Sequence, residues 1–242
     1  MNTIKVKQNK VKMVAHRGVS KLERENTNAA FLAAGNRRYF GIETDVHKTA
    51  DGLFVAIHDY TTGRVTNGAV DIEVEGNDYN TLKEVILPDL DGSTHREDLR
   101  IPLMLDYIKI CKKYEKVCVL EIKPDFSKEE LAEMVEIIKQ EDYLDQVIFI
   151  AVGSENCVLL REMLPNQPIQ WLTSKEFTDE MKEFIYKHNL DLDIRHDRLT
   201  QEIVDELHAN NVLINCWTCD EPERAEELMN MGVDFITSNI LE

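Results

Sequence analysis

The stretch VCVLEIKPDFSKEELAEMVEIIKQEDYLDQVIFIA, residues 117–151, holds the repeating unit from which the fold is read. Two short apolar runs, Val117–Ile122 and Val147–Ala151, have the length of buried strands. Between them, Lys128–Gln140 carries apolar residues at helical spacing with charges on the other face. A strand, a helix and a second strand in that order favour parallel pairing, since the chain must cross back before the next strand starts in the same direction.

Six more runs along the chain match the same description: Lys12–Ala15, Gly41–Asp45, Pro168–Leu172, Leu190–Ile194, Val212–Cys216 and Asp234–Thr237. Helical segments intervene. In Asp220–Met231, Asp220 is placed to cap, Pro222 suits a first helical position and Gly232 follows the end. Eight strands alternating with helices predict an α/β protein of the closed (β/α)8 TIM-barrel type, and 242 residues is an ordinary length for one. The period breaks once. The polar segment between His58 and Val117, with Gly63, Gly68, Gly76, Pro88 and Gly92, exceeds one strand-to-helix connection. Asp51-Gly52 followed by Leu53–Ile57 reads as a tight turn and a return strand, so roughly residues 59–110 form a small insertion after the second strand. No linker, fixed-period repeat or low-complexity tract divides the chain, and residues 1–242 are expected to form one domain.

A hydrophobic fraction of 43% suffices for a proper core, while a net charge of −17 argues against nucleic acid or an anionic membrane as the main partner. An anionic substrate therefore needs a local positive site. Met1 to Lys12 is polar and lysine-rich, unlike a secretory signal, and no segment approaches the roughly 18 apolar residues of a membrane span. The expectation is a soluble cytoplasmic protein. Five cysteines do not suggest a disulfide framework, and Cys216-Trp217-Thr218-Cys219 lacks the second pair that a zinc knuckle needs, so both cysteines are read as packing residues.

Barrel active sites gather where strands end at their C-termini. His16 and Arg17 follow the first strand, Glu43 and Asp45 end the second, Glu121 and Lys123 end the third, and Trp217 follows the seventh, so all fall on one rim. Glu43 and Asp45, two apart, share a strand face and with Glu121 make a three-carboxylate site suited to Mg²⁺ or Ca²⁺, completed by water and substrate oxygens. Arg17 and Lys123 are the substrate-binding residues that supply the local positive charge: arginine's planar fork can grip a phosphate oxygen, and lysine acts as a movable point charge that can also steady the carboxylates. With His16 and His58 to carry protons near neutral pH, the set suits metal-assisted hydrolysis of a phosphate ester. His47, His95, His188 and His208 are read as structural, and His196 as a rim residue just past the sixth strand.

In order and spacing, His16-Arg17-Gly18, Glu25-Asn26, Glu43-Thr44-Asp45, Asp51-Gly52 leading to His58-Asp59, and later Glu121-Ile122-Lys123 resemble the glycerophosphodiester phosphodiesterase family of phospholipase C-like phosphodiesterase barrels. The resemblance covers nearly the whole chain, the insertion included. It implies that His16 and His58 are the catalytic acid and base, in an order left open. It also implies that Gly18 lets the backbone bend beside the metal, that Asn26 coordinates the cation or hydrogen-bonds one of its ligands, and that Trp217 walls the glycerol or alcohol carbons. The implied reaction converts a glycerophosphodiester to sn-glycerol 3-phosphate and an alcohol such as choline or ethanolamine. A phospholipase D-like lyase releasing a cyclic phosphate, and a barrel that binds phosphodiesters without turnover, remain as alternatives. The chain departs from the family in having Arg24 for the usual proline, Ala151-Val152 for Ser-Phe, and Thr237-Ser238-Asn239 for an acidic turn. These changes bear on the substrate-facing wall.

Overall fold

The structure, a computed structural model, describes residues 2–7 and 10–242. The strands are β1 (Lys12–Ala15), β2 (Gly41–Lys48), β3 (Phe54–Ala56), β4 (Val117–Ile122), β5 (Val147–Ala151), β6 (Ile169–Thr173), β7 (Asp191–Arg195), β8 (Ile214–Trp217) and β9 (Phe235–Ser238). All except β3 pair in parallel in the order β1-β9-β8-β7-β6-β5-β4-β2, and β1 pairs with β2 to close the barrel. This is the predicted eight-stranded α/β barrel, with strand ends displaced by only a few residues. The largest displacement is in β2, which runs to Lys48 because β3 returns antiparallel beside it, Val46 opposite Ala56 and Lys48 opposite Phe54. The expected return strand is therefore present.

The helices are α1 (Asn28–Gly35), the single turn α2 (Tyr79–Leu82), α3 (Met104–Lys113), α4 (Lys128–Gln140), α5 (Ser154–Met163), α6 (Asp179–His188), α7 (Gln201–Ala209) and α8 (Pro222–Met231). In α4, Leu131, Met134, Val135 and Ile138 are buried, at the i, i+3, i+4, i+7 spacing that lays one stripe on the sheet. Ser127 and Glu130 close a capping box at its start, satisfying two backbone N–H groups that the helix leaves unpaired. α8 begins with Pro222 and ends on Gly232 at φ +93°, as its sequence predicts, but its cap is Glu221 and not Asp220. Asp220 is drawn away to the last strand, where it accepts from Asn239 N, Asn239 Nδ2 and Ser238 Oγ at 2.8–2.9 Å.

The main core lies between sheet and helices, and a smaller cluster of Val14, Val119, Ile148, Ile150 and Phe235 fills the barrel interior. Each large apolar side chain so buried contributes roughly 1.5–3 kcal/mol relative to exposure. The insertion has its own cluster, including Val55, Ile57, Val65, Val74, Leu82 and Leu99. It gives way to the barrel at α3, whose Met104, Tyr107, Ile108 and Cys111 are buried, a few residues before the change that sequence composition indicates. Among the described residues no helix is long and apolar enough to cross a membrane.

Candidate active site

Parallel register brings the acidic residues together. Asp45 lies opposite Glu121 across β2 and β4, and Glu43 sits one strand repeat behind Asp45 on the same face. One oxygen from each of the three lies within 4.8 Å of the others, and all three side chains are buried. Glu43 Oε1 and Asp45 Oδ1 have no hydrogen-bond donor. Buried acceptors without donors, clustered with a third carboxylate, are a donor set that a hard divalent cation satisfies. The residues therefore fit the metal that the sequence implies.

The electrostatics agree. Burial, then the neighbouring Asp45 and Glu121 carboxylates, push Glu43 well above the usual carboxylate range. Burial and Asp45 push Glu121 up to about 7. Burial opposes ionisation of Asp45 too, but Arg17 and Lys123 hold it below the ordinary range. As pH rises, the unfolded chain ionises Glu121 first, so the ion-free protein should lose stability between about 4.5, the ordinary glutamate value, and about 7, and the raised Glu43 acts in the same direction. The contribution of Asp45 is complete below that window and does not offset the loss. A bound cation favours the ionised carboxylates, so the gain in melting temperature on adding Mg²⁺ should be larger at pH 7.5 than at pH 5. Melting curves at the two pH values check this; a gain independent of pH would contradict the coupled cluster.

Around the carboxylates stand the basic groups. Arg17 donates its backbone N–H to Glu43 Oε2 (2.7 Å), and its guanidinium contacts Glu25 Oε1 (2.9 Å) and Asp45 Oδ2 (3.3 Å). Lys123 Nζ lies 2.7 Å from Glu121 Oε1 and 3.5 Å from Asp45 Oδ1. Asn26 turns its amide nitrogen to Asp45 Oδ2 (2.8 Å) while its oxygen accepts from Thr44 Oγ1 (2.8 Å), so it steadies a carboxylate of the cluster and its own oxygen is engaged elsewhere. Gly18, at φ +77°, passes so close to α1 that an added Cβ would sit 2.6 Å from Ala30 backbone carbon, which explains the glycine.

The two histidines differ in what holds them. His16 Nδ1 faces Asn239 Oδ1 at 2.7 Å; the Asn239 amide nitrogen is committed to Asp220, so its oxygen accepts and His16 carries the proton on Nδ1. His16 Nε2 is left facing the cluster, 4.0 Å from Glu43 Oε2. Burial, and then Arg17, lower its pKa to about 4. His58 Nδ1 instead faces the Asp59 carboxylate at 2.5 Å. Burial lowers His58 as well, while Asp45 and Asp59 oppose the shift.

His16, Arg17, Glu43, His58, Glu121, Lys123 and Trp217 all line one cavity of about 270 Å³. Ile150, Val152, Trp171, Leu172 and Met181 add apolar surface to the lining, next to the polar Thr173, Ser174 and Lys175. Asp193 also lines it, only 2% exposed, with Oδ1 unpartnered and its carboxyl pushed well up by burial and by Glu121. His196 does not line the cavity: its carbonyl and ring are held by Arg224. His47 is buried between Glu75 and the His58 carbonyl, and His208 pairs with Asp234. Cys216 and Cys219 are both buried free thiols. Of the other residues at the site, Asp59 sits inside a quoted motif and Asn239 in the Thr237-Ser238-Asn239 departure, neither with a role of its own, and Asp193 is not singled out by sequence at all. Asp193 lies on β7 and Asn239 just past β9, and only barrel closure places these two here.

A fold of this type with this rim defines a class of phosphodiester-cleaving barrels, and comparison specifies it further. The profile of the glycerophosphoryl diester phosphodiesterase family matches residues 16–241, and the chain belongs to that family. The glycerophosphodiester phosphodiesterase of Caldanaerobacter subterraneus is 28% identical, over 95% of this chain and 94% of its own. The Bacillus subtilis protein YhdW is 31% identical, over 94% and 93%. Among solved structures, an Oleispira antarctica phosphodiesterase in complex with sn-glycerol-3-phosphate superposes with a TM-score of 0.87 at 24% identity, covering 95% of this chain and 93% of that one.

Proposed function

We propose that the protein is a metal-dependent phosphodiesterase that hydrolyses glycerophosphodiesters to sn-glycerol 3-phosphate and an alcohol, with residues 1–242 acting as one unit. The observation that carries this reading is the meeting, in one cavity, of a buried three-carboxylate cluster with two histidines held by chemically different partners. Glu43, Asp45 and Glu121 hold the cation, Mg²⁺ or Ca²⁺, which when bound offsets the negative charge gathering on the phosphoryl oxygens. Arg17 binds a phosphate oxygen through its guanidinium, and Lys123 offsets the charge of Glu121 and Asp45.

The partners divide the proton work. Burial and Arg17 hold His16 down to about 4, so it presents an unprotonated Nε2 and takes the proton of the attacking water, while Asn239 fixes the tautomer at Nδ1. The Asp45 and Asp59 carboxylates oppose the lowering of His58 by burial, so of the two rings it is the readier to carry a proton, which it gives to the departing alcohol oxygen as its bond to phosphorus breaks. The water oxygen ends on phosphorus and the proton on the alcohol. Trp217, Trp171, Leu172 and Met181 supply apolar contact for carbon, and the Asp193 carboxyl, whose ionisation burial and Glu121 disfavour, can pair with a glycerol hydroxyl.

A coupled assay for glycerol 3-phosphate, run on a panel of glycerophosphodiesters with Mg²⁺, Mn²⁺ or Ca²⁺, tests the proposal. Product from at least one substrate is expected. A cyclic phosphate instead would favour the lyase, and binding without any product the non-catalytic barrel.

A further inference from the structure

Three consecutive residues before α1 each reach into the insertion. Glu23 pairs with Arg96 (2.6 Å), Arg24 donates to the Val65 carbonyl (2.5 Å), and Glu25 pairs with Arg64. Arg24 stands where the family usually has proline, which could not make the second contact. The third contact reaches the catalytic machinery. Arg64 Nη1 and Nη2 donate to the two Glu25 oxygens, both at 2.8 Å, while Nε donates to Asp59 Oδ2 at 2.6 Å and Nη2 reaches Asp59 Oδ1 at 3.3 Å. Glu25 in turn holds Arg17, and Asp59 holds His58. One guanidinium from the insertion is thus forked onto both carboxylates that fix the phosphate-gripping arginine and the second histidine.

We propose that Arg64 is a positioning residue: through Glu25 and Asp59 it sets Arg17 and His58 relative to each other, and the insertion serves the site by presenting it. The chemistry favours this over a plain surface ion pair. Arginine's rigid fork can satisfy two carboxylates in fixed directions, which a lysine cannot. Glu25 is largely enclosed, and although burial would raise its pKa, Arg64 and Arg17 hold it down to about 2, so it is a fixed anion between two guanidinium groups. Arg64 does not line the cavity, and its side-chain hydrogen bonds go to Glu25 and Asp59, so its influence on the site passes through these two partners.

The proposal rests on the phosphodiesterase reading for its kinetic test, and NMR separates the two. In Arg64→Met, with saturating Mg²⁺, kcat should fall about ten- to a hundredfold and KM rise, since misplacing a reacting group by about 1 Å costs on that order. Arg64→Lys should fall between. Guanidinium ion at low, non-denaturing concentration should restore part of kcat to Arg64→Ala. Arg96→Met, which removes another ion pair between the insertion and the same segment, should keep activity within about twofold. Because Arg64 acts through Asp59, Arg64→Met and Asp59→Asn should not add in a double-mutant cycle. Irrespective of turnover, the His58 ring resonance should shift in Arg64→Met. Activity near wild type in folded Arg64→Met, an equal loss in Arg96→Met, additive effects or an unmoved His58 resonance would each overturn the proposal. A wild-type protein inactive on every glycerophosphodiester, with a shifted His58 resonance, would defeat the functional reading and leave the positioning role standing.

Discussion

Replacing His16 or His58 with alanine is expected to lower turnover at least about a hundredfold, since a positioned acid or base typically contributes 10²–10⁴-fold. The fold should survive both changes. His16 loses one hydrogen bond to Asn239, which keeps its bonds to Asp220 and Ser20, and His58 is partly open to the cavity with its ring outside the core clusters. The two variants should differ in shape of response as well as size. Without His16 no group with a free imidazole nitrogen faces the cluster from β1, so the loss should persist for substrates with good leaving groups. Without His58 the loss should shrink as the leaving alcohol becomes more acidic, because an easily expelled alkoxide needs less protonation. Steady-state kinetics on folded, metal-saturated variants with choline-like and nitrophenol-like leaving groups would reveal the pattern. Near-wild-type turnover in either variant would demote that histidine, and a reversed leaving-group dependence would exchange the two roles.

The second large effect concerns the cation. Three carboxylates around one point repel each other, and the upward shifts of Glu43 and Glu121 express that repulsion together with burial. A metal that binds only the folded protein adds RT ln(1 + [L]/Kd), about 2.7 kcal/mol at a hundredfold excess over Kd, which for a chain of this size is a shift on the order of 5–10 °C in Tm. Chelation should therefore lower Tm and abolish turnover together. Glu43→Gln should separate the two properties: the amide is nearly the same size, so the ion-free fold persists, while metal-induced stabilisation and activity are lost. Differential scanning calorimetry of both proteins, with EDTA and with millimolar Mg²⁺ or Ca²⁺, makes the comparison. Unchanged metal affinity in the variant would remove Glu43 from the site.

Much of the fold and the site is legible in the amino-acid sequence, for a physical reason. Barrel strands are buried on both faces and read as short apolar runs, so all eight stand out, and the rule that active sites lie at strand C-termini places His16, Glu43, Asp45, Glu121, Lys123 and Trp217 on one rim. The structure brings these residues to one cluster and cavity. What sequence does not supply are partners decided by closure. Asn239 meets His16 because β9 pairs with β1 across 223 residues of chain, and the same contact explains why Asp220 leaves the cap of α8. Asp193 sits at an interior position of β7, where the apolar-run pattern gives no hint that a carboxyl faces the cavity. Arg64 lies in a turn of the insertion, where one arginine in a polar segment carries no periodic signal, and its role is visible only once Glu25 and Asp59 are side by side.

Turning a glycerophosphodiester into a phosphomonoester with the help of a metal is the central property assigned to this barrel. The most direct measurement follows glycerophosphocholine by ³¹P NMR with the wild-type protein, first in excess EDTA and then after Mg²⁺ or Ca²⁺ is added beyond the chelator. The predicted record is an unchanged diester signal in EDTA, followed on metal addition by its replacement with glycerol 3-phosphate. Equal turnover in EDTA, or an inert diester under every metal and for every alcohol group tried, would contradict it.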